Sequence, residues 1–171
     1  LGIGPMIEHG FYYDFKLLKP IADADLQELE ASMRAYAAQN LDFAGENVTP
    51  QKARRLFKDQ LFKLDLIKDF VKEKKQLTVY RTGDFTDLCR GGHVNNTAEI
   101  PRDGFMLYKV AGAYWKGDEK NPQLVRIYGL AFASKKELAS HLALLEDAKK
   151  RDHKKLGPEL DLFTFSDLVG S

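Results

Sequence analysis

Phe105-Met106-Leu107-Tyr108-Lys109-Val110-Ala111-Gly112-Ala113-Tyr114-Trp115 and Leu124-Val125-Arg126-Ile127-Tyr128-Gly129-Leu130-Ala131-Phe132 are two runs rich in aromatic and β-branched residues, separated by Asp118-Glu119-Lys120-Asn121-Pro122. Such side chains fit a pleated, half-buried surface, and the Asp, Asn and Pro between them suit a turn. Strands joined by so short a loop pair antiparallel. Leu77 to Arg81 and Phe85 to Leu88 repeat the pattern around Gly83-Asp84, and Gly10-Phe11-Tyr12-Tyr13-Asp14-Phe15, closed by Pro20, is a further aromatic strand.

Helical spacing fills the gaps. Leu26, Leu29, Met33, Tyr36 and Ala37 form one apolar stripe, with Asp23 placed to cap its first turn and Asn40 near its stop. Thr49-Pro50 opens a shorter helix with Ala53, Leu56 and Phe57 inward, and Leu61 to Val71 fits either periodicity. Ser134, with Glu137 three residues on, caps a long helix whose expected buried stripe is Leu138, Leu142, Leu145 and Ala148. The fold class is therefore α+β: an antiparallel sheet backed by helices, with a projecting C-terminal helix. That helix ends in Lys149-Lys150-Arg151-Asp152-His153-Lys154-Lys155, either a solvated helix end or a contact to a phosphate backbone.

The chain has 171 residues, enough for one core, or one domain and a connecting element. Lys and Arg total 26 against 25 Asp and Glu, so any polyanion surface must be a local patch. One cysteine excludes an internal disulfide, and no apolar run is long enough to span a bilayer, which predicts a soluble, reducing, cytoplasmic setting. With no initiator methionine before Leu1 and an apolar aromatic run just before Ser171, the sequence reads as an internal piece of a longer chain.

Chemistry centres on Cys89-Arg90-Gly91-Gly92-His93. The glycines allow a sharp turn that would aim thiol and imidazole at one point, half of a tetrahedral zinc site. The plain alternative is a buried cysteine beside a surface histidine. Asp84 and Asp87 precede this turn, as partners that orient His93 or as turn residues, while Arg90 suits a phosphate or carboxylate contact or plain solvation. Lys63 lies inside the apolar run Leu61-Phe62-Lys63-Leu64, to be desolvated for proton transfer or to snorkel to water. Ala111-Gly112-Ala113 is either a small-residue floor beneath a ligand or a tightly packed strand, and His9 and His141 read as structural.

Several motifs in one order, Gly2-Ile3-Gly4-Pro5, Gly10-Phe11-Tyr12-Tyr13-Asp14, Asp87-Leu88-Cys89-Arg90-Gly91-Gly92-His93, Val110-Ala111-Gly112-Ala113-Tyr114-Trp115 and Arg151-Asp152-His153, resemble the threonyl-tRNA synthetase family of bacterial type. The resemblance covers nearly the whole chain. It implies a partial editing domain of the threonyl/alanyl type over residues 1–133, a linker helix over 134–157, and the start of a class II synthetic domain over 158–171.

It also implies a parent enzyme that joins threonine to tRNA-Thr with ATP and hydrolyses mischarged seryl-tRNA in this region. ATP and magnesium would belong to the synthetic domain beyond Ser171. The implied partners are the tRNA acceptor end, the rest of the synthetase chain and, in the parent, a second copy as a homodimer; no membrane is involved.

Among site residues, Cys89 and His93 match one family pair, Asp87 and Lys63 match positions that hold substrate or assist the attacking water, and Tyr12, Tyr13, Arg90 and Gly112 would contact substrate. A His-x-x-x-His pair completes the family pocket and occurs nowhere in these residues, so it should lie just upstream of Leu1. Gly92 stands where the family usually has proline. Zinc at Cys89 and His93 would need the upstream pair, and the isolated chain should have weak deacylase activity or none. The alternative is a non-catalytic tRNA-binding or spacer module.

Overall fold

The structure, a computed structural model, describes residues 1, 2 and 4–151. The expected start of a synthetic domain lies outside the described residues, as does the linker beyond Arg151. The antiparallel strands form two sheets rather than the expected one. The first has the order β1-β2-β7-β6, from β1 (Met6–Ile7), β2 (Gly10–Phe15), β6 (Phe105–Tyr114) and β7 (Gln123–Ala131). The second has the order β3-β4-β5, from β3 (Ala44–Val48), β4 (Leu77–Thr82) and β5 (Phe85–Leu88).

Two apolar clusters explain the division. Helix α1 (Leu26–Ala37) sets Leu26, Leu29 and Met33 against Leu107, Ile127 and Phe11 of the first sheet. Helices α2 (Pro50–Leu56) and α3 (Leu61–Lys72) set Ala53, Phe57 and Ile67 against Val48, Leu77 and Val79 of the second. Each sheet thus buries one face under its own helices. The start of α3 also reaches back to the first sheet, where Phe62 packs with Trp115 and Leu124.

Asp23 does not cap α1. It lies in a single 3-10 turn, Asp23–Asp25, and its Oδ1 accepts the backbone N–H of Val110 at 2.7 Å. Glu30 Oε2 accepts the N–H of Leu107 at 2.8 Å. Strand β6 lies at a sheet edge, so its outward N–H groups lack a strand partner, and two α1-side carboxylates satisfy them. These N–H groups are three residues apart rather than two because a β-bulge falls between Leu107 and Lys109.

Ser134 caps α4 (Lys135–Lys150) as expected, its Oγ accepting the Glu137 N–H at 3.2 Å. The expected stripe is not buried along its length: Leu138 is 7% exposed, whereas Leu142 and Leu145 are 36% and 42% exposed. His141 packs at a tilt against the rings of His9 and Phe132 at the base of the helix. Beyond that point none of the residues as far as Arg151 is buried, and α4 projects. No described helix is long and apolar enough to cross a membrane.

Candidate functional site

Helix α3 carries Lys63 on its first turn, with a side chain only 2% exposed. The burial follows from partners that arrive from elsewhere in the chain. Lys63 Nζ lies 2.6 Å from Asp87 Oδ1 and donates to Tyr13 Oη at 3.0 Å. Tyr13 Oη in turn donates to Asp87 Oδ2 at 2.5 Å. Asp87 also accepts the backbone N–H of Leu88 at 2.7 Å, so its carboxylate receives ammonium, phenol and amide together. A buried ammonium persists when paired and hydrogen-bonded in this way, and the snorkelling alternative for Lys63 is overturned. Burial, reinforced by the neighbouring Asp87 carboxylate, raises the Tyr13 pKa well above its ordinary value.

The turn after β5 supplies the second group. Cys89 extends the strand, its N–H donating to Thr78 O at 3.1 Å, and its Sγ lies 3.9 Å from Gly91 O. Gly91 and Gly92 have φ of +102° and +83°, conformations that side chains rarely adopt. A Cβ on Gly91 would come within 2.8 Å of Tyr80 Oη, whereas one on Gly92 would meet nothing within 4 Å. Proline, locked near a φ of about −65°, is incompatible with the Gly92 backbone. The turn here is therefore built differently from one with proline in that place.

His93 sits between two rings, stacked on Phe43 at 5.2 Å and tilted against Tyr80 at 4.3 Å. Burial lowers its pKa, opposed by the charge of Asp87. Near neutral pH the ring is therefore uncharged, a form able to accept a proton. Sequence reasoning missed both walls. Phe43 is fixed by backbone pairing of its N–H with Asn95 O at 2.9 Å, a contact across 52 residues that local pattern does not encode.

Tyr12, Tyr13, Lys63, Asp87, Cys89 and His93 line one cavity of about 730 Å³ between the two sheets. Arg90 lines it too, with its guanidinium 5.1 Å from the Phe70 ring. Two expected participants lie elsewhere. Gly112 lines a separate open depression on β6 and β7, where a Cβ would come within 2.6 Å of Gln123 Nε2; its smallness serves strand packing. Asp84 is exposed in the turn with Gly83, whose φ is +53°.

Among the described residues no three His, Cys, Asp or Glu side chains gather as a metal site. Cys89 and His93 would be at most two of the four ligands that a structural zinc takes, and this pair alone does not fit the ion. What the cavity holds is a fixed ammonium, an anchored phenol, a thiol and an uncharged imidazole.

Residues 77–128, from β4 into β7, match the family described as the threonyl and alanyl tRNA synthetase second additional domain. A threonine–tRNA ligase of Dehalococcoides mccartyi is 49% identical over 170 residues, covering 99% of this chain and 28% of that protein. One of Staphylococcus aureus is 48% identical, covering 99% of this chain and 26% of its own length.

Proposed function

We propose, from the similarity of this chain to threonine–tRNA ligases about a quarter of whose length it spans, that its cavity hydrolyses the ester of a mischarged aminoacyl-tRNA. The observation that carries this reading is the buried Lys63, fixed by Asp87 and Tyr13 in the same cavity as Cys89 and His93. A single methyl is worth only about 1–3 kcal/mol of discrimination, so a synthetase for threonine charges some serine, and a second sieve removes it.

In the proposed reaction a water oxygen bonds to the ester carbonyl carbon, and its proton passes to a ring nitrogen of His93. The Lys63 ammonium stabilises the oxyanion that develops. The carbon–oxygen bond to the ribose then breaks, the proton goes to the ribose oxygen, and serine leaves tRNA with a free hydroxyl. Asp87 already receives three donors and is a positioning group in this scheme, holding Lys63 and Tyr13 in place. Cys89 shapes the wall beside His93. Attachment of threonine with ATP, tRNA-Thr as substrate, a homodimeric parent and a cytoplasmic setting form part of the same proposal for the longer enzyme.

The test is serine release from seryl-tRNA by a longer chain that includes the residues upstream of Leu1. Lys63→Met and His93→Ala should each lower the rate by at least tenfold. Full activity in Cys89→Ala/His93→Ala would overturn the site.

A further inference from the structure

His93 takes the proton in the hydrolytic scheme, yet what aims its ring is a set of residues that the scheme does not use. A histidine that handles protons is usually oriented by a hydrogen bond to its second ring nitrogen. Among the described residues none donates to or accepts from the His93 ring, which senses only burial and the charge of Asp87. Gly91 and Gly92, both at positive φ, precede it, so the chain on that side does little to restrain the side chain.

The chain on the other side is tied down. Residues 95–97 run antiparallel to residues 41–43 through the bridge between Asp42 and Asn96. Buried Thr97 pairs with Leu41 in both directions, its N–H donating to Leu41 O at 2.8 Å and its Oγ1 accepting the Leu41 N–H at 2.9 Å. Asn96 Nδ2 donates to Asp42 Oδ1 at 2.7 Å and to Asn40 O at 3.1 Å. These bonds carry Phe43 to the imidazole, where the two ring planes lie within 3° of parallel.

Tyr80 arrives from a third element. It is the register partner of Asp87 on β5, so its ring stands on the face of the second sheet that lines the cavity. Its partner on β3 is Gly45, and a Cβ there would come within 2.7 Å of Tyr80 Cζ. Gly91 likewise leaves room for the Tyr80 hydroxyl. Two glycines from separate segments thus clear a slot for this ring, which meets the imidazole at a tilt of 54°. His93 as a whole stays exposed, so the two rings hold the imidazole and leave it open to a reacting group.

We propose that Phe43 and Tyr80 are positioning residues for His93, an aromatic clamp that sets the plane of the imidazole by packing rather than by a hydrogen bond. The role rests on the hydrolytic reading of the cavity, whereas the clamp itself is measured without it. Pairs of aromatic rings favour offset-stacked or tilted arrangements, so they select an orientation. An aliphatic side chain fills the space without selecting one, and Phe43→Leu therefore keeps bulk and removes the selection.

The first measurement is NMR on this 171-residue chain with isotope-labelled histidine, the His93 signals being identified by their loss in His93→Ala. The ring current of Phe43 displaces the His93 ring-proton resonances. That displacement should vanish in Phe43→Leu and persist in Phe43→Tyr, while unmoved signals from His9 and His141, packed at the base of α4, show that each variant is folded. The second measurement is serine release by the longer chain that includes residues upstream of Leu1. There Phe43→Leu should lower kcat by about 5- to 100-fold, up to the loss that a misplacement of about 1 Å brings, with KM little changed. Tyr80→Leu should do the same, and Phe43→Tyr should restore the rate. A displacement that survives Phe43→Leu, or full kcat in Phe43→Leu where His93→Ala loses activity, would overturn the clamp. Serine release indifferent to His93→Ala would overturn the hydrolytic reading and the positioning role with it, so the two failures differ in which variant stays active.

Discussion

Asp87→Ala isolates the electrostatics of the cavity, because it removes the counter-charge of a lysine whose side chain is almost wholly buried. Lys63 is 2% exposed and Asp87 14% exposed. An ammonium left in that position keeps one hydrogen bond, to a Tyr13 hydroxyl that has lost its own acceptor. Breaking a buried pair by removing one partner costs about 3–5 kcal/mol. In a chain of this size each 1 kcal/mol lowers the melting temperature by about 2–4 °C, so a drop of roughly 6–20 °C is expected. Lys63→Met/Asp87→Ala removes both charges and should regain most of that loss, since replacing a whole buried pair with apolar groups is often neutral. The assay is thermal unfolding followed by circular dichroism at pH 7. An Asp87→Ala melt within about 2 °C of the parent, the shift that no more than about 1 kcal/mol produces, or a double variant less stable than the single one, would refute the claim that pairing holds Lys63 inside.

Tyr13 has a raised folded-state pKa, so its stabilising contribution is complete below the unfolded value of about 10 and is lost as pH rises beyond it. Urea melts should therefore show stability falling above about pH 10, with a shallower fall in Tyr13→Phe. The Asp14–Arg126 pair is asymmetric, with side chains 2% and 23% exposed. Arg126→Ala strands the buried carboxylate and should cost about 3–5 kcal/mol, more than Asp14→Ala, which leaves an arginine within reach of water; chemical denaturation measures both. At the turn, Gly92→Ala meets only backbone strain and should cost about 1 kcal/mol. Gly91→Ala adds the collision with Tyr80 Oη and should melt several degrees lower than Gly92→Ala.

Most elements were legible because their signals are local. Thr49-Pro50 and Ser134 mark helix starts that the structure uses, and the paired runs around Asp118–Pro122 form the β6–β7 hairpin. The helix α3 was ambiguous in sequence because its apolar residues satisfy both periods, and Ile67 packing against the second sheet decides the matter. Strand β3 gave no signal: in Ala44-Gly45-Glu46-Asn47-Val48 only Val48 is buried, and pairing with β4 alone makes it a strand. The division into two sheets was equally invisible, since antiparallel pairing is readable from turns but the choice of neighbouring sheet depends on which helix covers it.

The cavity shows the same boundary between local and distant information. Cys89 and His93 stand out because they share one short turn. Tyr13, Lys63 and Asp87 make a tighter unit, yet 50 residues separate the first two and 74 separate the first from the last. Composition alone favours a snorkelling lysine; only the folded chain brings a carboxylate and a phenol to it. This contrast also bears on how the site works. The distant trio is complete within the described residues and has its hydrogen bonds directed inward, which suits fixing a charge in place. The local pair is less tightly tied: the imidazole is enclosed by ring faces, and its lowered pKa keeps it uncharged. In the proposed hydrolysis the two groups, which line the same cavity, divide the work, one stabilising the developing oxyanion and one accepting the proton of water. Variants should divide accordingly, with Asp87→Ala losing stability and activity together, and His93→Ala losing activity in the longer enzyme with little change in melting temperature.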